Sequence, residues 1–213
     1  MIEKDISNWS IVVLGAWNTR ILTPEWISNG RLTENKEIKV EVALNNPDLP
    51  IKYRFDNILL QVSDNRIILN PLSDEDTNIK LIEDITVKIL TELNHTPLIG
   101  IGLNYNYIDK SPVSEQLSLL NIKDNNLYSD SGYEISSTSI KRKFIKNNNV
   151  ININVIYDNA NLKYNFNFHK DITNCVEGIE FIKDKSIEFK NESSNILNNF
   201  YNYNQEKEIE HVQ

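Results

Sequence analysis

Val13-Leu14-Gly15-Ala16-Trp17-Asn18, followed by Thr23-Pro24-Glu25-Trp26, has a counterpart in Gly100-Ile101-Gly102-Leu103-Asn104, followed by Ser111-Pro112-Val113-Ser114. In both, an apolar strand carries a glycine and then an asparagine. A short polar stretch then leads to a hydroxyl residue and a proline. Gly15 and Gly102 lie 87 residues apart (102 − 15), and Pro24 and Pro112 lie 88 apart (112 − 24). Two matching signals at nearly one offset point to an internal duplication.

Outward from these signals, the element order supports the same reading. Ile11 to Leu14 is a continuous apolar run, as in a buried strand. Thr23-Pro24-Glu25 supplies an N-cap hydroxyl, a proline at the first helical position and an acid in the first turn, with Gly30 limiting the helix. Ile38, Val40 and Val42 alternate with charged residues, and the stretches 53–62 and 66–69 read as a hairpin. Ile79, Ile82, Ile85, Ile89 and Leu93 recur at helical spacing, and Pro97 closes the helix near His95. The second half reads likewise. A strand spans 98–107, and Ser111-Pro112 opens a short helix. Three strands follow over 133–145, 150–157 and 162–168, and a final helix runs from Asp184 to Tyr203 with Phe189, Ile196, Phe200 and Tyr203 as its apolar line and Leu197 beside it. The expectation is an α+β fold: a tandem β-α-β-β-β-α unit, 1–95 and 96–204, forming one antiparallel sheet of about eight strands with two long helices on one face. Residues 205–213 read as a charged tail.

The net charge of −8 disfavours a general phosphate-backbone binder. The single cysteine, Cys175, excludes an internal disulfide framework and a multi-cysteine zinc site. No apolar run approaches the ~20 residues of a spanning helix. The expectation is a cytoplasmic protein without membrane attachment.

Catalytic candidates are few. His95 follows a helix, where a histidine complements the helix dipole. His169 and Asp171 stand just past a strand, a common catalytic address. With His211 in the tail, no third metal ligand is evident, and neither a metal nor a cofactor is expected. A phosphate loop, a dinucleotide fingerprint and a nucleophile elbow are absent. Binding candidates are Trp17 and Trp26, which flank the first strand-to-helix turn, and the basic stretch Lys141, Arg142, Lys143 and Lys146. On a strand, that stretch makes a stripe whose alternate members face opposite ways.

Through Leu14-Gly15-Ala16-Trp17-Asn18, Thr23-Pro24-Glu25-Trp26 and Leu93-x-His95-Thr96-Pro97 followed by Gly102-x-Asn104, the first half resembles a sporadically distributed family of uncharacterised bacterial proteins. The second half, through Phe168-x-x-Asp171, is similar in layout. The resemblance implies an α+β protein without assigned catalytic residues, and an accessory role in phage defence or a toxin–antitoxin system. The function expected first is therefore a non-catalytic interaction protein that binds a protein partner or a second copy. A hydrolase or nuclease at His95, His169 and Asp171 is the alternative, and a nucleic-acid binder the third.

Overall fold

The computed structural model describes residues 2–203 apart from 30, 36, 44, 46–48, 119, 121–127, 129 and 147–148. Gly30, His211 and the tail 205–213 thus lie outside the described residues. In chain order the elements are β1 (Ile2–Lys4), β2 (Ser10–Gly15), α1 (Pro24–Ser28), β3 (Lys39–Glu41), β4 (Ile51–Phe55), β5 (Ile58–Ser63), β6 (Arg66–Pro71) and α2 (Asp76–Glu92). Then follow β7 (Leu98–Asp109), α3 (Ser114–Ser118), β8 (Ser137–Lys146), β9 (Asn149–Asp158), β10 (Asn161–Asp171), α4 (Cys175–Ile182) and α5 (Ser186–Phe200).

All ten described strands join one antiparallel sheet in the order β3-β4-β5-β6-β2-β7-β10-β9-β8, with β1 added against the end of β7. The fold is α+β. Outward from the central β2–β7 pair, one side runs β6, β5, β4 and the other β10, β9, β8. The order is mirrored about that pair, but the two sides differ in their parts. Four strands follow α1 where three were expected, and two helices follow β10 where one was expected.

Each difference has a local cause. The apolar stretch 53–62 is two strands, because Asp56 and Asn57 take φ +45° and +61° and close a two-residue hairpin between Phe55 and Ile58. Asn159 and Ala160 do the same between β9 and β10, at +49° and +62°. The expected helix from Asp184 starts at Ser186 and is preceded by α4, whose N-cap Asn174 accepts from Glu177 N at 3.0 Å. Asp184, at φ +61°, turns the chain between the two helices. Pro24 does open α1, with Thr23 Oγ1 accepting from Trp26 N at 3.2 Å. Pro112 does not open α3: it lies two residues ahead of the helix, and Ser111 N donates to Asp109 Oδ1 instead of Ser111 serving as the cap.

The helices cover one face of the sheet. Ile11, Val13, Leu103, Tyr105, Tyr107, Tyr164, Phe166 and Phe168 meet Ile79, Ile82, Ile85 and Ile89 of α2 and Phe189 and Leu197 of α5 in one core. Full burial of such a side chain stabilises by about 1.5–3 kcal/mol. Phe168 and Phe189 stack with centroids 4.4 Å apart and planes 8° off parallel. The two long helices run antiparallel. Glu83 in the middle of α2 accepts from Ser186 N at the start of α5, and Lys190 farther along α5 reaches Asp76 at the start of α2. The buried line of α5 is Phe189, Ser193, Leu197 and Tyr201. It is displaced from the expected line because Ser193 is drawn inward by the Tyr107 hydroxyl at 2.7 Å. Phe200 is turned out of the core and 71% exposed, while Ile196 is half-buried against the edge of the core.

Candidate functional site

Two surfaces follow from this layout. The first is the sheet face opposite the helices. Register sets Lys143, Asn152, Asn167, Asn104 and Ser10 side by side across five strands. Their side chains form a row: Asn152 Nδ2 donates to Asn167 Oδ1 (3.0 Å), Asn167 Nδ2 to Asn104 Oδ1 (2.9 Å), and Asn104 Nδ2 to Ser10 Oγ (3.1 Å). A second row sets Lys141 beside Asn154, Asn165 and Asn106. In the first row the carboxamides are thus bonded to one another, with the uncharged amides flanked at the β8 end by Lys143 and, in the second row, by Lys141.

His169 stands on this same face, opposite Gly102. Its Nε2 lies 2.9 Å from Asp171 Oδ1. The ring crosses the two glycines of β7: a Cβ at Gly100 would sit 3.2 Å from His169 Cε1, and one at Gly102 would sit 2.9 Å from Asn167 Nδ2. His169 and Asp171 therefore meet, as two residues i and i+2 on one strand do. His95, exposed beyond the end of α2, makes no hydrogen bond or ion pair with either among the described residues.

The second surface lies on the helix side, beneath the outer strands β8 and β9. It is a cleft of about 1030 Å³, walled by Phe144 of β8, Ile151 and Ile153 of β9, and Ile196, Phe200 and Tyr201 of α5. Arg142, Lys146, Glu188 and Glu192 stand at the same cleft. The corresponding wing of the first half is closed. There Tyr53 and Phe55 of β4 are buried, Thr33 donates its hydroxyl to Asp56, and burial together with nearby Glu25 raises the Tyr53 hydroxyl pKa. In the second half Phe144 remains 44% exposed.

The basic stretch divides as a strand dictates. Lys141 and Lys143 face the asparagine rows, opposite Asn154 and Asn152. Arg142, opposite Ile153, faces the cleft and donates to Tyr201 Oη at 3.3 Å. Lys146 pairs with Glu192 at 2.7 Å, and this hydrogen bond pushes the lysine pKa up. Trp17 offers no binding surface. It is 4% exposed, and its indole donates to Val13 O at 3.2 Å, because the residues around α1 close over that end of the core. Trp26 is half-buried, with the Arg31 guanidinium 5.6 Å from its ring centroid.

Arg142 and Lys146 of the cleft are among the expected binding residues, but its apolar walls are not. Phe144 lay inside a basic stretch, and Ile196 and Phe200 were placed on the buried line of the last helix. Their one signal was Phe144-Ile145 at the end of an edge strand, a pair whose neighbours on both sides are lysines. Cys175 is buried, with its thiol directed at Leu93 O (3.5 Å) and Thr96 O (3.8 Å), and burial pushes its pKa up. Among the described residues no three His, Cys, Asp or Glu side chains gather in a metal-holding group. Nor is any described helix long and apolar enough to cross a membrane. No protein-family model matches the chain, and no curated protein matches it either.

Proposed function

We propose that the protein is a non-catalytic interaction protein and that its binding surface is the wing formed by β8, β9 and α5. The observation that carries this is the cleft of about 1030 Å³, which the exposed Phe144 and Phe200 line together with Ile151, Ile153 and the half-buried Ile196. Single exposed apolar residues are ordinary, but a contiguous apolar surface rimmed by charge marks an interaction site. On the other face the asparagines of the first row bond to one another, and among the described residues no nucleophile is hydrogen-bonded to the His169–Asp171 pair.

The resemblance of the first half adds a setting, an accessory part in phage defence or a toxin–antitoxin pair. Phage plating with and without the gene, alongside its genomic neighbours, tests that setting. The interaction itself is tested by light scattering and by capture with the wild-type chain and with Phe144→Asp/Phe200→Asp. Binding lost in the double variant, with its unfolding curve unchanged, supports the wing. A strict monomer without a partner, or a partner indifferent to the variant, overturns it.

A second reading rests on the 2.9 Å His169–Asp171 contact, as the start of a hydrolase or nuclease site. It requires a hydrolytic activity that His169→Ala abolishes while leaving the fold intact. An activity that survives this substitution removes it.

A further inference from the structure

We infer that the occupant of the wing is an extended segment of a different protein, alternating acidic and apolar residues, that adds to β8 as a further strand. The inference rests on the proposed interaction site and specifies its partner.

β8 is ten residues long and stands at the end of the strand order, paired among the described residues with β9 alone. The opposite end is β3, three residues long. An edge of that length presents a row of backbone donors and acceptors, which an added strand satisfies. The two faces of β8 then set the chemistry of the newcomer, because side chains alternate. On the polar face, Lys141 and Lys143 have no carboxylate within ion-pair distance among the described residues, whereas Lys146 on the other face is held by Glu192. Directly opposite positions on neighbouring strands come within about 4.5–5.5 Å, so residues set beside these two lysines are favoured as Asp or Glu. On the cleft side the intervening residues of the newcomer meet Phe144, with Ile151, Ile196 and Phe200 beyond it. A volume of about 1030 Å³ lies at the top of the range of roughly 300–1,000 Å³ typical of small-molecule pockets, which suits several side chains of a peptide.

A second copy fits less well, since it brings the same basic strand. Antiparallel pairing about Arg142 would set Lys141 against Lys143 twice. Nucleic acid fits less well still, because the chain carries a net charge of −8.

The test uses the full chain and three labelled ten-residue peptides: leucine alternating with glutamate, leucine alternating with lysine, and the glutamate peptide N-methylated at every second residue. Saturable anisotropy is expected for the first alone. Lys141→Glu/Lys143→Glu should weaken it about tenfold by turning two cross-strand attractions into repulsions. Amide hydrogen exchange should slow in β8 when the peptide binds. Equal binding of the lysine peptide or of the methylated peptide, no binding of any, unchanged exchange in β8, a dimer joined through β8, or displacement of the peptide by a short single-stranded DNA each overturns the inference. The two readings fail differently. A native partner lost with Phe144→Asp/Phe200→Asp but kept with Lys141→Glu/Lys143→Glu leaves the wing as the site and removes strand addition. A partner indifferent to both variants removes both.

Discussion

Replacing Glu83 by alanine should weaken the polar joint between α2 and α5. The Glu83 side chain is 1% exposed. Its carboxylate accepts from Asp184 N at 2.8 Å, from Ser186 N at 2.9 Å and from the Lys80 ammonium. The two backbone donors belong to the turn that starts α5, where a negative charge also complements the helix dipole. Without the carboxylate, two N–H groups lose their acceptor at about 1–3 kcal/mol each. The whole loss falls near the about 3–5 kcal/mol typical when one partner of a buried ionic contact is removed. Glu83→Gln keeps one acceptor oxygen and should cost about half as much. Burial raises the Glu83 pKa, yet the hydrogen bonds from Lys80, Ser186 and Asp184 outweigh it, and the net shift is downward. A carboxylate held low in the native state stabilises fully above the ordinary glutamate range, and that stabilisation fades as pH falls through the lowered native value. Denaturant unfolding of the wild type and Glu83→Gln should therefore show a wide gap at pH 7 that narrows toward pH 3. A Glu83→Ala cost under about 1 kcal/mol, or a gap of equal size at both pH values, refutes this account.

Three further predictions need only stability or labelling measurements. Thr23→Ala should cost about 1 kcal/mol by thermal unfolding, because Thr23 caps α1, while Ser111→Ala should cost a few tenths, because Ser111 caps nothing. Gly15→Ala should cost about 1–3 kcal/mol, since its Cβ would lie 2.6 Å from Pro97 O, a backbone atom; Gly100→Ala, facing the movable His169 ring, should cost less. Cys175 should react with a thiol reagent at pH 8 about a hundredfold more slowly in the native protein than in denaturant, because burial both hides the thiol and raises its pKa.

The parts of the fold that were legible are those decided by neighbours in sequence. The alternation in β10, the isoleucine spacing of α2 and the Thr23-Pro24 start each carry their own signal. The parts that were not legible depend on partners far along the chain. One exception is local: Asp56 and Asn57 take positive φ inside a stretch read as one strand and close a two-residue hairpin. α4 contains Gly178, whose missing side chain lets Leu90 and Ile172 approach, and without them the glycine reads as a helix breaker. The stripe of α5 moved because Tyr107 offers a hydroxyl to Ser193. The strand expected to end at Phe168 runs on through Asp171, and it is this extension that sets His169 and Asp171 on one face. The cleft was not legible, because its walls come from residues 142–153 and 188–201.

The position of β2 also governs how the chain finds its fold. β2 is paired on one side with β6 and on the other with β7, where Val12 faces Gly102 across 90 intervening steps of chain (102 − 12). The first edge of β2 closes within its own half, while the second must wait for the other half to be made. At synthesis rates of about 5–20 residues per second, β2 leads its partner by roughly 5–18 s. During that interval Ile11 and Val13 sit in a strand with one open edge, which a β2 strand of another nascent chain can occupy. Long-range closure of this kind slows folding relative to local hairpins. Refolding should therefore slow further at high protein concentration, through intermolecular pairing at the seam between the halves, while the outer hairpins form early and independently.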